Sequence, residues 1–210
     1  MSNYIENLNW RYATKKFDTG KKISDEDLET LLEATMLSPS SYGLQPYHIF
    51  VISDPELRNQ LKPASWNQAQ ITEASHLIVF ANKINYGEDL VDAHLENISD
   101  IREIPLDNLK GMGDFMKSKL MDMPQEVKAT WTAKQSYLSL GNFLAAAANL
   151  HIDACPMEGF DASEYNRILG LTEKGLNAAV IVTIGYRSDD DLTQYNKKVR
   201  QSKEKLFTHI

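Results

Sequence analysis

The order of elements in this chain of 210 residues predicts an α/β or α+β sandwich. Residues 48–53, 76–82 and 176–184 have the apolar, β-branched composition of strands, and long helical stretches separate them. The longest helical pattern, residues 125–150, includes a run of four alanines that allows close packing against a neighbour. We therefore expect a sheet that is covered by helices.

Two helices are predicted before the first strand. Apolar spacing indicates a short opening helix. Its stripe consists of Ile5, Leu8 and Tyr12. Ser24 is suited to cap the second helix, because Asp27 follows at the third position. We expect that helix to end near Pro39, since the residue before a proline disfavours the helical conformation.

Helices also dominate the middle of the chain. Asp54-Pro55 begins a helix behind the first strand, because proline is favoured at the first helical position. Residues 67–74 are expected to be helical as well. Residues 88–122 are expected to form helical stretches with breaks at Pro105 and Gly111.

The last part of the chain combines a strand end, a capped helix and a polar tail. Asp161 is predicted to cap a helix that runs to about Leu169. The tail, residues 186–210, is rich in lysine and contains the apolar pair Leu206 and Phe207. A segment this polar is too poor in apolar residues to pack on its own. We expect it to wrap across a partner subunit.

The overall charge disfavours two classes of partner. A formal net charge of −7 argues against non-specific binding to nucleic acid or to anionic membranes. The single Cys155 allows no intrachain disulfide, and residues 1–10 lack the apolar core of a secretory signal. No apolar run approaches membrane-spanning length. We therefore expect a cytoplasmic protein that binds neither nucleic acid nor membrane.

Basic residues gather near both ends of the chain. Arg11 and Lys15 would share one face of a helix at spacing i, i+4. Lys198 and Arg200 would point the same way in an extended segment. A solvated basic face is the ordinary interpretation of such runs. The alternative is an anion site, because an arginine fork suits phosphate oxygens.

Two other segments contain residues that bend the chain. Ser38-Pro39-Ser40-Ser41 followed by Gln45-Pro46 predicts a loop. Pro156-Met157-Glu158-Gly159 is consistent with a strand end followed by a turn, and its glycine permits close approach of another group. In this order, after Arg11-Tyr12-Ala13-Thr14-Lys15, they resemble the FMN-dependent nitroreductase family. The resemblance covers nearly the whole chain.

The resemblance implies a fold and an assembly. The fold is α+β, a nitroreductase-like three-layer sandwich with a mixed central β-sheet flanked by helices, in a single domain over residues 1–210. The assembly is a domain-swapped homodimer in which the tail, about residues 186–210, crosses to the partner subunit. The implied cofactor is FMN, with NADH or NADPH as the reductant.

The resemblance also gives site residues their roles. Arg11, Lys198 and Arg200 match the positions that hold the FMN phosphate. Lys15 matches the lysine at the N1/O2 edge of the flavin, and the backbone N–H of Glu158 matches the donor to flavin N5. The complete set implied at the cofactor is Arg11, Tyr12, Ala13, Lys15, Pro39, Ser40, Ser41, Gly43, Gln45, Asn67, Gln70, Pro156, Met157, Glu158, Gly159, Lys198 and Arg200.

The chain departs from the family pattern at two of these positions. Gly43 stands where the family often has asparagine, so a hydrogen bond to the flavin is missing or is made by backbone or water. Gln70 stands where relatives often carry a second lysine, which removes a charge from the N1/O2 edge. Phe115, in a methionine-rich stretch that is otherwise explained as helix core, is the candidate substrate contact. An ungapped comparison places Lys117 at the family's usual aromatic gate.

The activity implied is that of an FMN-dependent NAD(P)H oxidoreductase. It would reduce nitroaromatics, quinones or similar electrophiles by ping-pong hydride transfer. The alternatives are reductive dehalogenation or flavin fragmentation on the same fold, or a non-catalytic flavin-binding dimer. No metal site is expected, because His151, Asp153 and Cys155 do not make a full ligand set at metal spacing.

Overall fold

The computed structural model describes residues 3–210, which contain a four-stranded antiparallel sheet. Its strands are β1 (Tyr47–Ile52), β2 (His76–Lys83), β3 (Asp153–Met157) and β4 (Leu176–Gly185). The spatial order is β1-β2-β4-β3. The two central strands, β2 and β4, are largely buried along their lengths, which explains their nearly continuous apolar runs.

Helices cover both faces of this sheet. They are α1 (Asn3–Trp10), α2 (Asp25–Met36), α3 (Pro55–Ala64), α4 (Gln70–Glu73), α5 (Asp89–Arg102), α6 (Lys110–Leu120), α7 (Gln125–Asn149), α8 (Ala162–Leu169) and α9 (Lys203–Leu206). None of the helices within residues 3–210 combines the length and the apolarity needed to cross a bilayer.

Alternate residues of β2 face two separate cores. Val79 packs with Tyr165 of α8 in one cluster, and Phe80 packs with Phe143 of α7 in the other. The rings of Phe80 and Phe143 meet edge to face, with 5.7 Å between centroids. Side chains of a strand alternate between the two faces of its sheet, so the two clusters define helix, sheet and helix layers. The predicted three-layer α+β sandwich is confirmed.

The predicted helix starts are confirmed by their caps. The side chain of Ser24 accepts a hydrogen bond from the backbone N–H of Asp27. Asp54 accepts one from Leu57 at the start of α3. Asp161 caps α8 through two backbone N–H groups. These carboxylates and this hydroxyl satisfy donors that the first turn of a helix leaves without partners.

The sheet differs in one respect from the mixed sheet that the resemblance implied. Every ladder between β1, β2, β3 and β4 is antiparallel. Within residues 3–210, parallel pairing is limited to the isolated bridge between Ala13 and Ala154.

Two helix predictions are wrong in detail. Of residues 67–74, only Gln70–Glu73 is helical, because Trp66 and Asn67 have left-handed φ values of +53° and +57°. Gly111 does not break a helix but lies inside α6. The interruption falls instead at Glu103, whose φ is +54°, and at the 3₁₀ turn Leu106–Leu109.

The two glycines of α6 make a matched pair for a stability test. A Cβ at Gly111 would meet nothing within 4 Å, whereas one at Gly113 would lie 2.6 Å from Cδ1 of Leu95 on α5. We expect Gly111→Ala to raise the free energy of unfolding by about 0.5–1 kcal/mol through helix propensity. Gly113→Ala should raise it less or lower it, because the Leu95 side chain must shift to admit the new methyl group. Urea unfolding of both variants checks this, and equal stabilities would contradict the packing of α6 on α5.

Candidate functional site

Residues 11–17 run between β3 and the first residues of the tail. Ala13 forms a bridge with Ala154 of β3, and Phe17 forms an antiparallel bridge with Arg187. The helix before them, α1, ends at Trp10. The expectation that Arg11 and Lys15 share a helical face is therefore wrong, because the segment that joins them is not helical and is held by the bridge of Ala13.

Asp191 holds the backbone of this segment in place. Its Oδ2 accepts hydrogen bonds from the Tyr12 hydroxyl at 2.9 Å and from the backbone N–H groups of Lys15 at 2.7 Å and Lys16 at 3.2 Å. Asp191 is almost fully buried. Burial by itself would raise the pKa of this carboxyl, but the donated hydrogen bonds hold it below its ordinary value. The charged carboxylate thus fixes the conformation in which Lys15 is presented.

Three cations converge beside the C-terminal end of α1. The Nζ of Lys198 donates to the carbonyl oxygens of Leu8, at 2.9 Å, and of Arg11. Burial lowers the pKa of Arg11, and the charge of Arg200 lowers it further. Burial lowers the pKa of Lys198 too, with added effects from Arg11 and Arg200. Residues almost 190 positions apart in the chain thus lie close enough to repel one another.

This cluster has the properties of an anion site. Like charges in a partly buried position raise the electrostatic energy unless an anion lies among them. The Nε of Arg11 is buried and has no hydrogen-bond partner, so one strong donor remains available. Guanidinium and ammonium groups are the donors that bind phosphate oxygens most strongly in proteins. The residues present therefore fit the phosphate that the resemblance implied.

Gln70 and Lys15 meet at the buried thiol of Cys155. Burial raises the pKa of Cys155, while the charge of Lys15, a side-chain hydrogen bond with Gln70 and the charge of Arg11 act in the opposite direction. Gln70 is buried. The helix α4 and the segment 11–17 therefore come together at β3, as the implied site requires. The Gln70 amide, however, is engaged with the thiol.

An exposed tryptophan lies beside the turn after β3, and no pattern in the sequence indicates this contact. Strand β3 ends at Met157, as predicted, and the carbonyl of Gly159 accepts a hydrogen bond of 2.8 Å from Nε2 of Gln68. The ring of Trp66 lies against Gly159 although Trp66 is 70% exposed. An exposed tryptophan fixed beside the Glu158–Gly159 peptide is suited to contact a ligand that reaches this turn.

Glu158 has a partner on α7. The hydroxyl of Tyr137 donates a hydrogen bond to Oε1 of Glu158. Burial, together with this bond, raises the pKa of Tyr137 to about 12. The Glu158 carboxylate is thereby turned to α7, and the backbone of the turn is left to face a ligand.

The loop from Pro39 to Gln45 contacts other elements. The backbone N–H of Ser41 donates to Oε1 of Gln135 on α7, and Oγ of Ser40 accepts from the backbone N–H of Gln45. Gly43 has a φ of +76°, and a Cβ there would lie 3.1 Å from the ring of His94 on α5. Among residues 3–210, no hydrogen bond or ion pair joins this loop to the basic cluster. Within one chain the implied cofactor residues thus form two separate groups.

Phe115 lies next to this loop. It is about half exposed on α6, and its ring meets that of Tyr42 edge to face with 6.5 Å between centroids. Lys117, which the ungapped comparison placed at the gate, forms ion pairs of 2.9 Å with Glu88 and 2.7 Å with Asp92. Lys117 therefore ties α6 to α5, and the exposed aromatic residues at this place are Phe115 and Tyr42.

The residues considered for a metal site are engaged separately. The ring of His151 lies 4.9 Å from that of Trp10, and Asp153 forms an ion pair of 2.6 Å with Arg187. In the part of the chain that the structure describes, no group of three His, Cys, Asp or Glu side chains is arranged to hold a metal ion. Asp191, Arg187, Trp66 and Tyr137 belong to no motif in the sequence that indicates the contacts they make.

Comparison with known proteins assigns the chain to a family. The family model for the Nitroreductase family matches residues 8–186, and the chain belongs to that family. YfkO of Bacillus subtilis, by name a candidate NAD(P)H nitroreductase, is 38% identical over an alignment of 200 positions that covers 89% of each chain. Because the family match ends at residue 186, the placement of Lys198 and Arg200 depends on the geometry described above.

Solved structures share the fold. The crystal structure of ydfN, a candidate nitroreductase from Bacillus subtilis, superposes with a TM-score of 0.89 at 21% identity and covers 100% of both chains. A candidate nitroreductase from Exiguobacterium sibiricum 255-15, solved in complex with FMN, gives a TM-score of 0.87 at 20% identity. It covers 100% of this chain and 98% of its own.

The contact between Trp66 and Gly159 can be tested by a double-mutant cycle. A Cβ at Gly159 would lie 2.8 Å from Cζ3 of Trp66, so Gly159→Ala must displace the indole. We expect Gly159→Ala to be destabilising in the wild-type protein and nearly neutral in a Trp66→Ala background. The coupling free energy should be about 0.5–3 kcal/mol, as found for residues in contact. Additive effects in urea unfolding would show that the ring does not lie on this glycine.

Proposed function

We propose that the protein is an FMN-dependent NAD(P)H oxidoreductase that reduces nitroaromatics, quinones or similar electrophiles. The observation that carries the proposal is the contact of Lys198 with the Arg11 carbonyl, with Arg200 close enough to lower the pKa of both side chains. Membership of the Nitroreductase family and the FMN in a structure of the same fold support it.

The phosphate anchor is the first part of the proposed mechanism. Arg11 and Arg200 donate to phosphate oxygens through guanidinium groups, and Lys198 adds a third positive charge. Lys198 also donates to the carbonyl oxygens at the end of α1, so its ammonium is held where it is needed. The anchor fixes one end of the cofactor and thereby limits the positions of the ring at the other end.

The ring site uses the residues around β3. When bound, FMN supplies the centre that accepts hydride from NAD(P)H and passes it to the substrate. Lys15, whose backbone is fixed by Asp191, stabilises negative charge at the N1/O2 edge. The side chain of Glu158 is bonded to Tyr137, and the backbone N–H of Glu158 would donate a hydrogen bond to N5. Gln70 contributes an amide dipole near Cys155 and no net charge.

The proposed site is completed by a second copy of the chain. The loop Pro39–Gln45 would cover the partner's flavin, which explains why it does not contact the basic cluster of its own chain. Exposed apolar side chains on α7 and in the tail supply the surface for such a dimer. They include Leu138, Val199, Leu206 and Phe207. We further propose that residues 1–210 form one domain, that the tail crosses to the partner, and that the protein is cytoplasmic.

The activity has a direct spectroscopic test. Purified protein should contain one non-covalently bound FMN per subunit, and anaerobic NADH or NADPH should bleach its visible absorption band. Adding a quinone or a nitroaromatic compound without oxygen should then restore the band. Bound flavin that neither nucleotide reduces would contradict the proposal and favour a non-catalytic flavin-binding dimer.

The contribution of the tail to the dimer can be tested without removing the residues proposed to bind the phosphate. A chain truncated after Gln201 keeps Lys198, Arg200 and Asp191 but loses α9 with Leu206 and Phe207. We expect light scattering at a series of protein concentrations to show a weaker dimer, with a larger dissociation constant than that of the full-length protein. The matched control is a chain truncated after Phe207, which should behave like the full-length protein. Identical dimer stability in both truncated chains would contradict a role of the tail in the interface.

A further inference from the structure

An arginine outside the implied cofactor set is stacked between two aromatic rings. The guanidinium carbon of Arg187 lies 4.2 Å from the ring centroid of Trp10 and 4.6 Å from that of Tyr12. A guanidinium group is planar and stacks favourably on aromatic faces. Trp10 and Tyr12 are the two neighbours of Arg11 in the sequence. The side chain of Arg187 thus contacts the residues on both sides of Arg11, which is predicted to bind the phosphate.

The position of Arg187 is itself fixed by a buried carboxylate. Its Nε donates to Oδ1 of Asp153 at 2.8 Å, its backbone N–H donates to Oδ2 at 2.8 Å, and its NH2 group lies 2.6 Å from Oδ1. Asp153 is 3% exposed and belongs to β3. Contacts from both the backbone and the guanidinium group to one buried carboxylate limit the positions that the Arg187 side chain can take.

We propose that Arg187 is the positioning residue of the anion site: by holding Trp10 and Tyr12 on one side, it directs Arg11 toward Lys198 and Arg200. Arg11 lies between Trp10, the last residue of α1, and Ala13, which is bridged to β3. A side chain that holds the residues on both sides of Arg11 restricts the backbone from which the Arg11 side chain extends. This inference rests on the proposed function, because it takes the anion to be the FMN phosphate.

Arg187 acts through geometry rather than through charge. Its positive charge is neutralised by Asp153 at 2.6 Å, so it adds little to the field at the phosphate. A lysine at this position would keep the charge but lose the planar group that fills the space between two rings. Arg187→Lys therefore separates the two explanations, since only the geometric one predicts a loss of phosphate binding.

The alternative explanation is that Arg187 only stabilises the fold. Comparing the binding of FMN with that of riboflavin distinguishes the two explanations. Riboflavin has the ring and the ribityl chain of FMN but no phosphate. Damage to the fold, or to the ring site, weakens binding of both flavins. Misdirection of Arg11 weakens binding of FMN alone. The ratio of the dissociation constants for riboflavin and FMN is therefore the quantity to measure. A purely structural role of Arg187 would leave this ratio unchanged.

The experiment titrates the full-length apo-protein with FMN and with riboflavin, following flavin fluorescence. We expect Arg187→Lys to reduce the preference for FMN by about tenfold, the effect of one charged hydrogen bond, while riboflavin affinity stays within about threefold. Trp10→Leu removes one ring but keeps the ion pair, and it should lower the same ratio if Arg187→Lys proves too unstable to measure. Arg58→Lys is the matched control, because Arg58 is buried on backbone carbonyls and should leave the ratio unchanged.

Arg11→Ala separates failure of the inference from failure of the proposed function. It should reduce the FMN preference by at least tenfold. If it does, but Arg187→Lys and Trp10→Leu leave the ratio unchanged or weaken both flavins equally, the positioning role is overturned and the phosphate site stands. If Arg11→Ala itself leaves the ratio unchanged, the phosphate does not bind here, and both the site and the inference fail.

Discussion

Two buried carboxylates, Asp153 and Asp191, hold the segment that presents the basic residues of this protein. Asp191 binds the backbone at Lys15 and Lys16, and Asp153 binds the guanidinium group that is stacked on Trp10 and Tyr12. Each carboxylate is fully engaged by donors, which offsets its loss of water. Without them, residues 11–17 would keep only the bridges to β3 and to Arg187, the packing of Phe17 in the core and the bond from Lys198 to the Arg11 carbonyl. The proposed site thus depends on two carboxylates, those of Asp153 and Asp191, that do not themselves contact the ligand.

The consequence is a positive centre in a protein with a net charge of −7. Burial and the charge of Arg200 lower the pKa of Arg11, and burial with the charges of Arg11 and Arg200 lowers the pKa of Lys198, which signals an unfavourable arrangement in the absence of an anion. An arrangement of this kind is stabilised when the anion binds, so ligand affinity and fold stability are linked. The site is built where the N-terminal segment, β3 and the tail meet. Loss of any one of these elements should therefore release the anion.

The sequence predicted what is encoded locally and missed what is encoded at long range. The caps Ser24, Asp54 and Asp161 could be predicted because each acts on a backbone group within three residues. The partners of Asp191 lie almost 180 residues away, and one of three consecutive tail aspartates carries no local signal. Gly111 was misread as a break because packing of α6 on α5 overrides the low helix propensity of glycine.

The central claim is that a phosphate group lies among Arg11, Lys198 and Arg200. The most direct measurement is the ³¹P NMR resonance of FMN bound to the full-length protein, followed against pH. A phosphate monoester ordinarily loses its second proton near pH ~6. Three cations favour the dianion and lower that pKa, so the account predicts a resonance that does not titrate between about pH 5 and 8. A resonance that titrates as it does in free FMN would contradict the account.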